Sequence, residues 1–191
     1  MSAEEKLRKL AEAISKCKRC SLYAERRNAV PGEGSSTATV MFIGEAPGRK
    51  EDDEGRPFVG QAGKVLDDLL CQAGIKRSEV FICNVVRCIP LTVKGGVRPP
   101  SNTEIEICSP YLDAQIETVN PSIIVTLGGV SIKHLFDKFG IKASGISRIH
   151  GQTIQAGRFK LMPMYHPAAS LYNPRLIKEM KRDFTALSNM I

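Results

Sequence analysis

The stretch from Val40 to Gly63, VMFIGEAPGRKEDDEGRPFVGQAG, constrains this chain more than any other. The apolar run Val40 to Ile43 stops abruptly at Gly44-Glu45-Ala46-Pro47-Gly48, a sequence that reads as a tight turn. A carboxylate-rich segment, Glu51 to Glu54, follows, then Pro57-Phe58-Val59-Gly60, and after Gly63 a helical pattern takes over. Strand, glycine turn, loop and helix in that order build a ligand site at the carboxyl end of a strand in an open α/β sheet. Packing alone gives little reason to put five acidic groups and one aromatic into such a loop. The expectation is a base or similar planar ligand that is bound and acted on.

The remaining chain continues the alternation. Ser2 and Glu5 have capping-box spacing, so a first helix is predicted from Ala3, with Leu7, Leu10, Ala11 and Ile14 on one face. Strands are predicted at Ala38 to Ile43, Val80 to Val86, Ser122 to Leu127 and Phe159 to Tyr165, with a short one near Thr153 to Gln155. Helices are predicted at Lys64 to Ala73, from the Ser101/Glu104 capping box to Val119 (with Pro110 as a kink or a later start), at Val130 to Phe139, and from about Arg175 onward. The strand VFICNVV is almost wholly apolar, as parallel strands covered on both faces are. No repeat, low-complexity tract or linker divides the 191 residues. The predicted fold class is α/β: one domain, 1–191, a three-layer α/β/α sandwich around a short, mostly parallel four-stranded sheet.

Lysine and arginine outnumber aspartate and glutamate by 27 to 20, a net charge of +7. The surplus favours an anionic partner, nucleic acid ahead of an acidic membrane, although charge alone fits a basic non-binding surface equally well. No apolar run approaches the roughly 20 residues needed to span a bilayer, and the N-terminal segment lacks the apolar core of a signal peptide. A cytoplasmic location is expected. Two nucleotide motifs are excluded: Gly55 and Gly60 have the spacing of a P-loop but Gln61 stands where its lysine belongs, and no GxGxxG follows the first strand.

Six cysteines in a chain of this kind point to metal binding or core packing rather than disulfides. Cys71, in an apolar helix, and Cys83, in a buried strand, are expected as small core residues. Cys17 and Cys20 form a CxxC at a helix end, and Cys88 and Cys108 bracket a long loop. Those four suit a four-thiolate site, and spacing leaves zinc and a 4Fe–4S cluster both open. Asn84 interrupts an apolar strand, where its amide must find partners. Either it bonds a neighbouring loop or its donor and acceptor match the edge of a pyrimidine. Of the three histidines, His134 and His150 are expected to be ordinary. His166 follows a strand end that aims it at the ligand crevice.

Taken together, GEAPG at Gly44 to Gly48, the EDxxGxPFVGxAG pattern from Glu51 to Gly63, Asn84-Val85-Val86, the four cysteines and HPAASL at His166 to Leu171 resemble the fourth family of uracil-DNA glycosylases, the iron–sulfur type of thermophilic bacteria and archaea. The resemblance runs from Cys17 to about Leu171. It implies base excision repair: uracil is flipped out of double- or single-stranded DNA and its N-glycosidic bond hydrolysed. Phe58 would stack on the uracil, Asn84 would read its polar edge, and Glu51 would crowd out the methyl of thymine. His166 would donate to uracil O2, and main-chain N–H groups around Gly44, Ala46 and Gly48 would hold carbonyls or a phosphate. Leu171 would wedge into the duplex, and Cys17, Cys20, Cys88 and Cys108 would hold a structural 4Fe–4S cluster. Ala46 stands where the best-known uracil glycosylases carry a water-positioning aspartate, so Glu45 becomes the candidate for that role, while Asp52, Asp53 and Glu54 are expected as a solvated loop face. The alternatives are a glycosylase of the same fold for hypoxanthine, xanthine or thymine, and a noncatalytic iron–sulfur nucleic-acid-binding protein. A monomer is expected; a sliding clamp is a possible partner, though neither end carries a convincing clamp-binding motif.

Overall fold

Four fully or largely buried strands form the centre of the protein: β2 (Val40–Gly44), β3 (Phe81–Asn84), β4 (Ile123–Leu127) and β6 (Phe159–Met164). The computed structural model describes residues 1–142 and 144–191. These strands run parallel, and two short antiparallel strands, β1 (Glu33–Gly34) and β5 (Ile154–Ala156), close the edges in the order β1-β3-β2-β4-β6-β5. The sheet therefore has six strands where four were expected. β1 escapes sequence reading because a two-residue Glu-Gly strand carries no apolar alternation.

Side chains alternate across each strand, and the sequence supplies apolar groups for both faces. Met41 and Ile43 point into one core with Leu112, Ile116, Leu135 and Phe136. Val40 and Phe42 point into the other with Leu66, Leu70, Met180 and Phe184. Thus α1 (Ala3–Ser15), α4 (Asn102–Val119) and α5 (Gly129–Lys138) cover one face, and α3 (Gln61–Gln72) and α8 (Leu176–Ser188) the other. Phe42 and Phe184 stack at 5.8 Å between ring centroids and tie β2 to α8. No helix of the described residues is long and apolar enough to cross a membrane.

The capping signals are realised. Ser2 Oγ accepts from the Glu5 N–H at 3.2 Å. At α4 both halves of the box form: Glu104 N–H to Ser101 Oγ at 3.2 Å and Ser101 N–H to the Glu104 carboxylate at 2.7 Å. Pro110 is accommodated inside α4.

Three expectations are corrected. Glu51 to Glu54 is not a loop but part of α2 (Arg49–Glu54), and Asp52 is not solvated. It is buried, because its carboxylate accepts the main-chain N–H groups of Arg27, at 3.0 and 3.1 Å, and Asn28, at 3.4 Å. Cys71 is exposed, since Leu66, Leu69 and Leu70 fill the inward face of α3 and leave it outside. Cys83 is buried as expected. Asn84 does not interrupt a strand but ends it, level with Gly44 across the β2–β3 ladder.

The chain leaves β2 for β3 on one side and returns through α4 to β4 on the other, so the direction of winding reverses at β2. Ligand crevices open at such reversals, beyond the carboxyl ends of the strands. Gly44 to Gly48 lies there.

Glu104 also pairs with both guanidinium nitrogens of Arg98, at 2.6 and 2.9 Å, and the Arg98 hydrogen bond is the main cause that lowers its carboxyl below the ordinary value. Glu104→Ala removes one half of the capping box and the carboxylate partner of the part-exposed Arg98, an expected loss of about 1–2 kcal/mol in denaturant unfolding. The stabilisation is complete above the ordinary carboxylate pKa and fades as pH falls through the lowered folded value, so the variant and the unaltered protein should converge in stability toward acid pH.

Candidate active site

The turn after β2 is held by an extension of the β2–β3 pairing: Val85 N–H donates to Gly44 O at 2.9 Å and Val86 N–H to Glu45 O at 3.2 Å. This fixes the Gly44–Ala46 main chain over the end of β3. At Gly44 there is no room for a side chain. A Cβ there would lie 2.4 Å from Asn84 Oδ1 and 2.6 Å from Phe58 Cζ, so the Asn84 amide and the edge of Phe58 meet above a bare Cα.

Asn84 is buried and its Oδ1 has no hydrogen-bond partner among the described residues. An unpaired buried acceptor costs about 1–3 kcal/mol. The reading in which Asn84 Oδ1 bonds a neighbouring loop is therefore not realised; the acceptor is held ready for a donor.

Phe58 is held in a left-handed conformation, φ +50°, which costs a non-glycine residue on the order of 1 kcal/mol or more. Two contacts impose it. The first turn of α3 presses on its main chain, where a Cβ on Gly63 would be 2.0 Å from Phe58 O. Glu51 Oε1 accepts the N–H groups of Val59 and Gly60, both at 2.9 Å. Glu51 thus has a bond-making task that the motif did not disclose: it ties α2 to the Pro57–Gly60 turn. Gly48 caps α2 beside it, and a Cβ there would stand 2.8 Å from Glu51 Oε2.

His166 leaves the end of β6 and stacks on Phe58, with ring centroids 5.6 Å apart and planes at 30°. Its Nδ1 accepts the Ala168 N–H at 3.2 Å, which places the proton of the neutral ring on Nε2. Burial depresses the imidazole from 6.5 to about 4, against an opposing pull from the Glu51 carboxylate. The site therefore carries a neutral N–H donor and an unpaired amide acceptor beside an aromatic ring.

Glu45 is half-buried at the turn, and burial alone raises its carboxyl above the ordinary value. Ala46 is partly buried and packs on the core, so nothing in its side chain can orient water. Within and just beyond HPAASL, Ala169–Tyr172 forms a short helix, α7, whose Leu171 and Tyr172 stand exposed at 46% and 89%.

The four cysteines singled out by spacing come together. Cys17, Cys20, Cys88 and Cys108, from the end of α1, the segment after it, the chain beyond β3 and α4, line one cavity. Arg26 Nη1 donates to Cys88 Sγ at 3.0 Å. Among the described residues no three His, Cys, Asp or Glu side chains converge tightly enough to hold a single ion; these sulfurs ring a space instead. Burial raises the Cys88 thiol to about 11 and the Cys108 thiol above its ordinary value. Sequence reasoning missed Arg87, which also lines the cavity.

A stacking ring, an amide with a free acceptor and a neutral imidazole N–H at a strand-end crevice define a site for a flat, uncharged, polar-edged ring. The family model of the uracil DNA glycosylase superfamily matches residues 31–187. The chain is 46% identical, over 97% of its length and 85% of the relative's, to the type-4 uracil-DNA glycosylase of Sulfurisphaera tokodaii. It is 47% identical to that of Saccharolobus solfataricus, over 92% of this chain and 82% of the relative. Against that of Pyrobaculum aerophilum it is 44% identical, over 93% and 90%. The chain belongs to the uracil-DNA glycosylase superfamily, among its type-4 members.

Because burial holds His166 neutral, nitrogen-detected NMR of the imidazole should show the Nε2–H tautomer unchanged from pH 8 to 5, with protonation only near pH 4. A ring that titrates near 6.5 would contradict this environment.

Proposed function

We propose that the protein excises uracil from DNA, releasing the free base and leaving an abasic site as the first step of base excision repair. The observation that carries this is the unpaired Asn84 acceptor facing a glycine-floored pocket beside Phe58. Uracil N3–H is the donor that the acceptor lacks, and O4 accepts from the same amide. A cytosine edge reverses that pattern and would leave buried groups unpaired.

Excision breaks the bond between C1′ and N1. The electron pair leaves with the base, and negative charge spreads to O2. His166 Nε2–H donates to O2 as that charge grows, and a neutral imidazole does this without becoming a competing acid. Phe58 stacks on the flipped ring. The Glu51 carboxylate and the turn it holds form the wall toward C5, where a thymine methyl would have to fit. Water adds to C1′ as hydroxyl and its proton passes through solvent to the uracil anion, which leaves as the neutral base; Glu45, half-buried at the turn, is the group assigned to orient the water. Main-chain N–H groups at Ala46 and Gly48 face carbonyl or phosphate oxygens. Leu171, apolar and exposed one short helix away from His166, fills the gap in the duplex.

A 4Fe–4S cluster fits the cysteine cavity. Four thiols from separate segments line one pocket, which is the donor set that such a cluster takes. Thiols raised by burial need a bound cation to be held as thiolates. Cys17, Cys20, Cys88 and Cys108 would hold the cluster, which would supply cross-linking between α1, α4 and the chain beyond β3 rather than chemistry on the base.

The direct test is strand nicking by alkali after incubation with uracil-containing DNA, with hypoxanthine, xanthine and thymine substrates alongside. Release of uracil and not of thymine is expected, and binding without release of any base would overturn the reading. Asn84→Leu and His166→Leu should each lower single-turnover excision by about a hundredfold or more. Glu45→Gln should lower it about tenfold or more, and an unchanged rate would remove Glu45 from the mechanism. Protein purified without air should be brown, with about four irons per chain; a colourless zinc protein would overturn the cluster.

A further inference from the structure

Arg87 is the largest fully buried side chain in the protein, 1% exposed, three residues beyond the base-reading Asn84. None of the ion pairs among the described residues involves it. Nη1 donates to the main-chain carbonyl of Asn84, and Nη2 donates to Gln115 Oε1 at 2.7 Å. Nε has no partner. Gln115 is in turn fixed by donating to Pro31 O at 2.7 Å. Two neutral carbonyls leave the positive charge uncompensated, and a buried charge without a counter-ion is strongly destabilising.

The other face of Arg87 borders the cavity lined by Cys17, Cys20, Cys88 and Cys108. A cubane cluster held by four thiolates is a net anion, and net charge is one of the levers by which protein and cluster act on each other. With that anion in the cavity, the guanidinium has its counter-charge on one side and the Asn84 main chain on the other. Arg87 therefore both lines the cysteine cavity and bonds the main chain that carries the Asn84 amide.

We propose that Arg87 is a positioning residue coupling the two sites: its charge is balanced from the cysteine cavity, and its Nη1 fixes the main chain from which the Asn84 amide projects. The proposal rests on the reading of the protein as an iron–sulfur uracil glycosylase. It assigns the cysteine site a second consequence, control of the geometry that reads the base.

The test compares Arg87→Met and Arg87→Lys with the unaltered protein, all prepared without air, for iron per chain, melting temperature, and kcat and KM on uracil-containing DNA. Arg87→Met should hold less than about half the iron and lose about tenfold or more in kcat, with KM changed less than about threefold, since Asn84 touches the base and not the DNA backbone. Arg87→Lys restores the charge and should recover the iron and most of kcat, which a space-filling role would not predict from the thinner side chain. If Arg87→Met does not fold, Gln115→Leu decides: it frees one arm of the guanidinium while keeping the charge, so iron should stay and kcat should fall about threefold or more. Unaltered kcat and iron in Arg87→Met, no recovery of iron in Arg87→Lys, or unaltered kcat in Gln115→Leu would each overturn the coupling. An unaltered protein that bound no iron or released no uracil would overturn the functional reading and this proposal with it, a result distinguishable from failure of the coupling alone.

Discussion

The parallel register that sets Gly44 opposite Asn84 is the constraint on which the site depends. A slip of one residue would turn the Asn84 side chain to the opposite face of the sheet, because side chains alternate strictly along a strand. It would also bring a Cβ to the position where only Gly44 leaves space for an amide and a ring edge. Register is secured far from the pocket: Met41 and Ile43 on one face, Val40 and Phe42 on the other, each belong to a separate core that would be inverted by the same slip. Ordinary hydrophobic burial thus fixes the position of the polar group at the strand end.

Burial also sets the protonation state of the pocket. His166 borders the Glu51 carboxylate, whose attraction favours the imidazolium, yet desolvation is the larger effect and the ring stays neutral. The Glu51 carboxylate also accepts two main-chain N–H groups from the Val59–Gly60 turn. One carboxylate therefore shapes the aromatic wall and leaves the donor uncharged, as a leaving base with developing negative charge requires.

Much of this was legible in the sequence, and the parts that were not share a cause. The buried parallel strands, both capping boxes and the cysteine set announce themselves through period, spacing or residue type. So did the strand-end location of Gly44 to Gly48 and His166. Misplaced were the features decided by which main-chain group a side chain meets. Asp52 looked like one of a run of solvated acids, but residues 27 and 28, remote in sequence, present their N–H groups to it. Cys71 lies in an apolar helix, and only the helix's rotation against β2 and β3 puts it outside. Arg87 reads as one more basic residue in a basic chain; its burial follows from β3 ending at Asn84 and α4 packing across it with Gln115 inward.

The corrected reading of the acidic segment alters the view of the opening stretch. Glu51 and Asp52 are adjacent on α2, and adjacent helical residues point to different sides. One grips the turn that carries Phe58; the other grips the Arg27–Asn28 main chain, one residue beyond Arg26, which donates to Cys88. Asn28 strengthens that second grip by donating to the carbonyls of Asp52 and Asp53, at 2.8 and 3.1 Å. The short helix is therefore a strap between the aromatic wall of the pocket and the N-terminal segment that supplies half of the cysteine cavity. Two routes then join the two sites, one through α2 and one through Arg87, on opposite sides of the end of β3. The Gly44–Ala46 turn is held by the Val85 and Val86 N–H groups and the Phe58 turn by Glu51, so the two turns at the crevice are tied down by separate elements.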